Sequence, residues 1–240
     1  MIPVYFKTKD FTEPAAAFYY LVTADGNFLV RKTGLFASVT ETRVIPGLLK
    51  QRESLTLNLP KVPRSLMEQM YGFFDAVHTR WGGEAIVFLY YSPESKIFRL
   101  AVPPQTLFRY QTISGFWRTE MRVVYGWLPR PEGFIKLGDA HSHGDLPAFF
   151  SCTDDKDDKD DGLRITLGRL DHPRPDVEVS FVVSGTRFIL NPADALEEFF
   201  DPVPPPPEWL ERVNCQVEDS GSGRKAESHG QEGAGREAGH

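Results

Sequence analysis

Apolar positions recur along this chain with three different spacings, and each spacing predicts a different element. From Ser65 to Trp81, the residues Leu66, Met70, Phe73, Phe74, Val77 and Trp81 fall at helical intervals, which predicts a helix with one core-facing stripe. Ser65-Leu-Met-Glu68 reads as a capping box at its start and Gly82-Gly83 as its stop. The next segment, Ala85-Ile-Val-Phe-Leu-Tyr-Tyr91, is apolar without interruption and ends in the turn Ser92-Pro93-Glu94-Ser95, as expected of a central strand rather than an edge. Apolar residues at every second position, Val177, Val179, Phe181 and Val183, mark a third segment, and Ser184-Gly185 separates it from Thr186-Arg-Phe-Ile-Leu190, so these form a hairpin. Asn191-Pro192 then combines an N-cap with a proline suited to a first helical turn. Near the start, Tyr19 to Thr23, the turn Asp25-Gly26 and Phe28-Leu-Val form a second hairpin, and Leu55-Thr-Leu-Asn-Leu59 adds a further strand.

These elements divide the chain into a β-rich N-terminal region (1–62), a mixed α/β domain (63–201), and a spacer with a tail (202–240). The first region is expected to pack on the second or to template its partners. Pro202 to Pro207 is a stiff spacer, and the polar sequence after about Asn214 is expected to be disordered. With 240 residues, 41% of them hydrophobic, the chain has ample material for a core. A formal net charge of -6 gives no support to nucleic-acid binding. Cys152 and Cys215 make no disulfide framework, the N-terminus lacks the order of a signal peptide, and no apolar run reaches membrane-spanning length; a cytoplasmic protein is expected.

The candidate chemistry is concentrated in His141-Ser-His-Gly-Asp-Leu-Pro-Ala-Phe-Phe-Ser-Cys-Thr-Asp154. Side chains at i and i+2 of a strand share a face, so His141 and His143 can offer two imidazoles to one ion, with Asp154 as the third ligand. Three protein ligands leave the fourth tetrahedral position of Zn²⁺ for water, whose pKa the ion lowers to about 7. Ser151 would sit beside Asp154.

His-Ser-His, seven residues, then Ser-x-x-Asp resembles the signature of the JAMM/MPN+ (Mov34/JAB-type) zinc metalloproteases. That resemblance implies a curved mixed sheet flanked by helices. It also implies zinc held by His141, His143 and Asp154, with the Ser151 hydroxyl polarising the scissile carbonyl. The family places a catalytic Glu at the start of a buried strand after a long helix. Glu84 stands there and becomes the candidate general base, with Glu120 its main rival; Glu94 and Glu132 lie in a turn and a loop. The sequence around the motif looks closest to bacterial members, in particular the protein A group of the PRTRC cassettes of mobile elements. Those cassettes also encode a ThiF-like, E1-type protein and a ubiquitin-like protein. By that analogy the partner is a ubiquitin-like protein or its conjugate, cut at an amide or isopeptide bond at the modifier's C-terminus. Many family members follow the second His with Pro, whereas Gly144 follows here.

Other readings compete. Ser151 to Asp154 also reads as a helix N-terminus. Cys152 as a nucleophile would leave the His-x-His spacing unexplained. The run from Asp154 to Asp161 is most simply a solvated loop: with Lys159 and Gly168 at the third and twelfth positions it fails as a calcium loop. His78, His172, His229 and His240 read as structural or solvated. A non-hydrolytic assembly module with a structural metal, or a hydrolase of a non-peptide bond, are the alternative functions.

Overall fold

A computed structural model describes residues 2–112, 114–150 and 160–218. The chain divides into two compact units, Met1–Ser54 and Leu55–His240.

The first unit is a four-stranded sheet: β1 (Val4–Phe6), β2 (Phe18–Thr23), β3 (Gly26–Lys32) and β4 (Ala37–Glu41), in that spatial order. The expected hairpin is β2 and β3, with Thr23 opposite Gly26, so its two-residue turn is Ala24-Asp25, one position earlier than expected. Tyr19, Leu21 and Val30 form a small core against which Tyr5, Phe11 and Phe28 pack.

The second unit is mixed α/β. Its main sheet contains β5 (Ile86–Ser92), β6 (Ile97–Ala101), β9 (Ile135–Ser142), β10 (Gly162–Gly168), β11 (Asp176–Val183) and β12 (Thr186–Leu190), in the order β12-β11-β10-β9-β5-β6. A second sheet places β7 (Gln105–Gln111) between β8 (Trp117–Tyr125) and β13 (Val213–Glu218). All seven residues of β5 are buried, as the uninterrupted apolar run requires of an internal strand. In the β11–β12 turn, Ser184 (φ 50°) and Gly185 (φ 78°) both adopt positive φ, matching the twist of the flanking strands.

Helix α1 (Arg64–Trp81) buries Met67, Met70, Phe73, Phe74 and Val77 in the core with Val87, Leu89 and Ile165. Burial of each such side chain contributes about 1.5–3 kcal/mol. Gly82 ends the helix in the left-handed conformation (φ 66°), its N–H donating to the His78 carbonyl. The expected capping box does not form. Pro63 is the N-cap, Glu68 accepts instead from the Arg64 Nε at 2.7 Å, and the Glu197 carboxylate accepts from the Arg64 backbone N–H at 2.8 Å. A distant acid thus does the capping that the local sequence was expected to do.

Three other expectations are corrected. Leu55 to Leu59 is not a strand; among the described residues no ladder includes it, and Leu59 packs on the main core. The proline segment is no free spacer, because the Val203 N–H donates to the Glu68 carbonyl and Val203 lies so close to α1 that a Cβ at Gly72 would overlap its carbonyl. That approach explains a glycine in mid-helix. Residues 213–218 are ordered as β13, parallel to β7 from Val213 opposite Gln105 to Glu218 opposite Tyr110. The Asn191-Pro192 start is correct, with Asn191 Oδ1 accepting from the Ala193 N–H, but α2 (Pro192–Ala195) is a single turn. Another single turn, α3 (Pro207–Leu210), precedes β13.

Candidate metal centre

His141 is the penultimate residue of β9 and His143 follows its end, so both leave the sheet on the same side. Their Nε2 atoms approach to 3.0 Å. Two nitrogens at about 2.0–2.1 Å from a tetrahedral ion stand about 3.3 Å apart, so this convergence fits a shared metal. The buried His143 ring places Nδ1 3.3 Å from the Pro147 carbonyl. A proton on Nδ1 donated to that carbonyl leaves the Nε2 lone pair for a ligand. Thr166, fully buried on the neighbouring strand β10, places its hydroxyl 3.4 Å from His141 Nε2.

The loop carrying His143 is stitched to the end of β10. The His143 N–H donates to the Leu167 carbonyl, the Arg169 N–H to Leu146, and the Leu170 N–H to Gly144. Leu146 and Ala148 pass so close to Gly168 that any side chain there would overlap their backbone. Gly144, which stands where many JAMM members have proline, has φ 54° and lies against the His78 ring. His78 Nε2 in turn contacts Asp145 Oδ1 at 2.7 Å. His78 therefore belongs to the wall of the site, rather than being a remote helix residue. Its position in the last turn of α1, shortly before Glu84, was the available signal.

Glu84 is half-buried between Gly82-Gly83 and β5. Ile86 pairs with His141 in an antiparallel register, so continuing that register by two residues sets Glu84 opposite His143. Three sets of contacts fix this position. The Ala85 N–H donates to Ser142 Oγ at 3.0 Å, and the Ser142 N–H returns to the Ala85 carbonyl. On the far side of β5, beyond the end of its pairing with β6, the buried Gln105 side chain accepts from the Ile86 N–H and donates to its carbonyl, each at 3.0 Å. Gly83 packs closely against Thr119 and Leu107, and the Thr119 hydroxyl donates to the Trp81 carbonyl. Nothing in the sequence of β7 announces Gln105 as a clamp.

Glu84 and His143 line one cavity of about 450 Å³, whose walls also include His78, Arg109, Trp117 and Glu120. Glu120, the rival base, thus faces the same space, 3.5 Å from the Arg122 Nε. Ser151 and Asp154 lie outside the described residues, as do the expected helix start at Ser151 and most of the acidic run. Among the described residues no cluster of three or more metal-binding side chains occurs.

A family model described as prokaryotic homologs of the JAB domain matches residues 83–198. The matched segment opens one residue before Glu84 and contains both histidines, Ser151 and Asp154. It covers just under half of the chain and supports a JAB/MPN relationship for that part. No curated protein matches the sequence. Among the described residues, no helix is long and apolar enough to cross a membrane.

Proposed function

We propose that the JAB-like part of this chain is a zinc-dependent peptidase that hydrolyses an amide or isopeptide bond. The observation that carries this reading is the convergence of His141 and His143 Nε2 to 3.0 Å beside a cavity that Glu84 shares. His141, His143 and Asp154 would hold the ion. When bound, zinc supplies Lewis acidity and a water acidic enough to ionise near neutral pH.

The chain's own residues do the rest. The Glu84 carboxylate takes a proton from the attacking water and passes it to the departing amine nitrogen, one group serving as base and then as acid. The Ser151 hydroxyl donates a hydrogen bond to the oxyanion that develops on the carbonyl. The Pro147 carbonyl holds His143 in one tautomer. The β5–β9 register, continued two residues past Ile86 opposite His141, sets Glu84 opposite His143. By the resemblance to PRTRC protein A, the substrate is the C-terminus of a cytoplasmic ubiquitin-like protein or its conjugate, acting with a ThiF/E1-like partner.

Metal analysis of purified full-length protein tests this reading. One zinc per chain is expected, lost in a His141→Ala, His143→Ala double variant; metal-free protein prepared without chelators would overturn it. Glu84→Gln is expected to retain zinc while turnover falls by at least about 100-fold, the contribution typical of a positioned acid-base group. Retained turnover would remove Glu84 from its role and point to Glu120.

A further inference from the structure

We infer that Arg109 forms a carboxylate-binding subsite in the catalytic cavity, so that the favoured substrate carries an acidic group close to the bond that is cut. This rests on the cavity being the peptidase site proposed above. Arg109 lies on β7 opposite Thr119 of β8, and Trp117, two residues away, shares that face. Its guanidinium carbon sits 5.5 Å from the Trp117 ring centroid, which orients the guanidinium while leaving donors unused. The Arg109 Nε is sealed from solvent and has no hydrogen-bond partner among the described residues. A buried guanidinium N–H without an acceptor is costly and uncommon, and Arg109 is otherwise only half-buried in the wall of the cavity, where its remaining N–H groups can meet an acceptor delivered by a ligand.

Two of the acids that line the cavity have basic partners of their own. Asp145 contacts His78 and Glu120 contacts Arg122. Arg80, exposed at the end of α1 and stacked on Trp81 at 4.5 Å, and Arg118 of β8 add two further cations to the same cavity. The planar fork of arginine matches a carboxylate, which can accept two of its N–H groups at once. A cavity of about 450 Å³ spans about two or three residues of extended chain at roughly 3.3–3.6 Å each. The acidic group therefore lies within that distance of the scissile bond. It is either an acidic side chain or a free C-terminal carboxylate.

Three peptides distinguish these sources: acetyl-Gly-Glu-Gly-Gly-amide, its Gln analogue, and acetyl-Gly-Gln-Gly-Gly with a free C-terminus. Calorimetric titration into full-length protein carrying Glu84→Gln reads binding without turnover. At least tenfold tighter binding of one carboxylate peptide than of the Gln amide is expected, and the tighter of the two names the source. The preference should vanish with Arg109→Gln and weaken with Arg80→Gln, an exposed position whose replacement leaves the core intact. Equal binding of all three peptides, no binding of any, or a preference that survives Arg109→Gln in a protein that melts like the parent would overturn the subsite. If the preference holds but the unsubstituted, zinc-loaded protein cleaves none of these peptides or their conjugates, the peptidase reading fails and the subsite stands. Cleavage without acid preference removes only the subsite.

Discussion

The sheet of β1 to β4 and the sheet around β5 are both made largely of antiparallel neighbours, but they differ in how much of each strand is covered. β5 and β10 are buried at every position. In β2 and β3 only Tyr19, Tyr20, Leu21 and Val30 are, and β4 is mostly exposed. A strand covered on both faces leaves little room for polar chemistry along its length, so the candidate groups stand at strand ends: Glu84 just before β5, His141 and His143 at the close of β9. The smaller sheet has open positions but only a small buried cluster behind them. Precision of placement here follows from burial on either side of the strand, not from strand content.

The strongest test of that contrast is Gly138→Ala. A Cβ there would overlap the Leu163 carbonyl on β10, so β9 and β10 must part. A loss of more than about 4 kcal/mol, or failure to fold, is expected from a clash at the centre of the core, and thermal melting checks it. Phe74→Ala removes a fully buried side chain from α1 and should cost about 3–5 kcal/mol. Urea unfolding followed by tryptophan fluorescence would read this, since all four tryptophans lie in the second unit. In the smaller sheet, Val30→Ala should cost less, about 2 kcal/mol, because the core around it is thin. An equal or larger loss than for Phe74→Ala would overturn the contrast.

The smallest effect is electrostatic. The Lys32 ammonium, 2.7 Å from Glu13, holds the Glu13 carboxyl below its ordinary range through a hydrogen bond and charge attraction. A folded pKa below the unfolded one stabilises above the unfolded value and is lost as pH falls through the folded value. The pair is solvent-exposed, so only a slight acid-side loss is expected, absent in Lys32→Ala. Melting temperatures measured from pH 6 down to pH 3 would show it.

The elements that carry the centre were legible because strong local signals wrote them. An unbroken apolar run fits an internal strand or a buried helix, and its seven-residue length, its β-formers and the turn at Ser92-Pro93 settled which. His-x-His declared its own geometry once placed on a strand. Other parts depend on contacts distant in sequence. Glu197 caps a helix that starts more than a hundred residues earlier, and Gln105 clamps Ile86 through its side chain. Leu55 to Leu59 alternates like a strand but meets no sheet edge. Val213, Cys215 and Val217 alternate as well, yet their strand was hidden beside a polar tail, and only its parallel partner β7 reveals it. The Arg109 subsite proposed above had no signal in the sequence, because it depends on which distant residues the fold gathers around one cavity.

The pairing of β13 with β7 also sets an order for biosynthesis. Strand β7 leaves the ribosome more than a hundred residues before the segment that covers its second edge, while Gln105 and Arg109 both sit on it. Until residue 218 emerges, that edge is an open template for pairing with another chain. A nascent or truncated product ending near Leu210 would therefore carry every candidate catalytic residue and still be prone to aggregate, so that completion of the C-terminal strand governs the yield of competent protein.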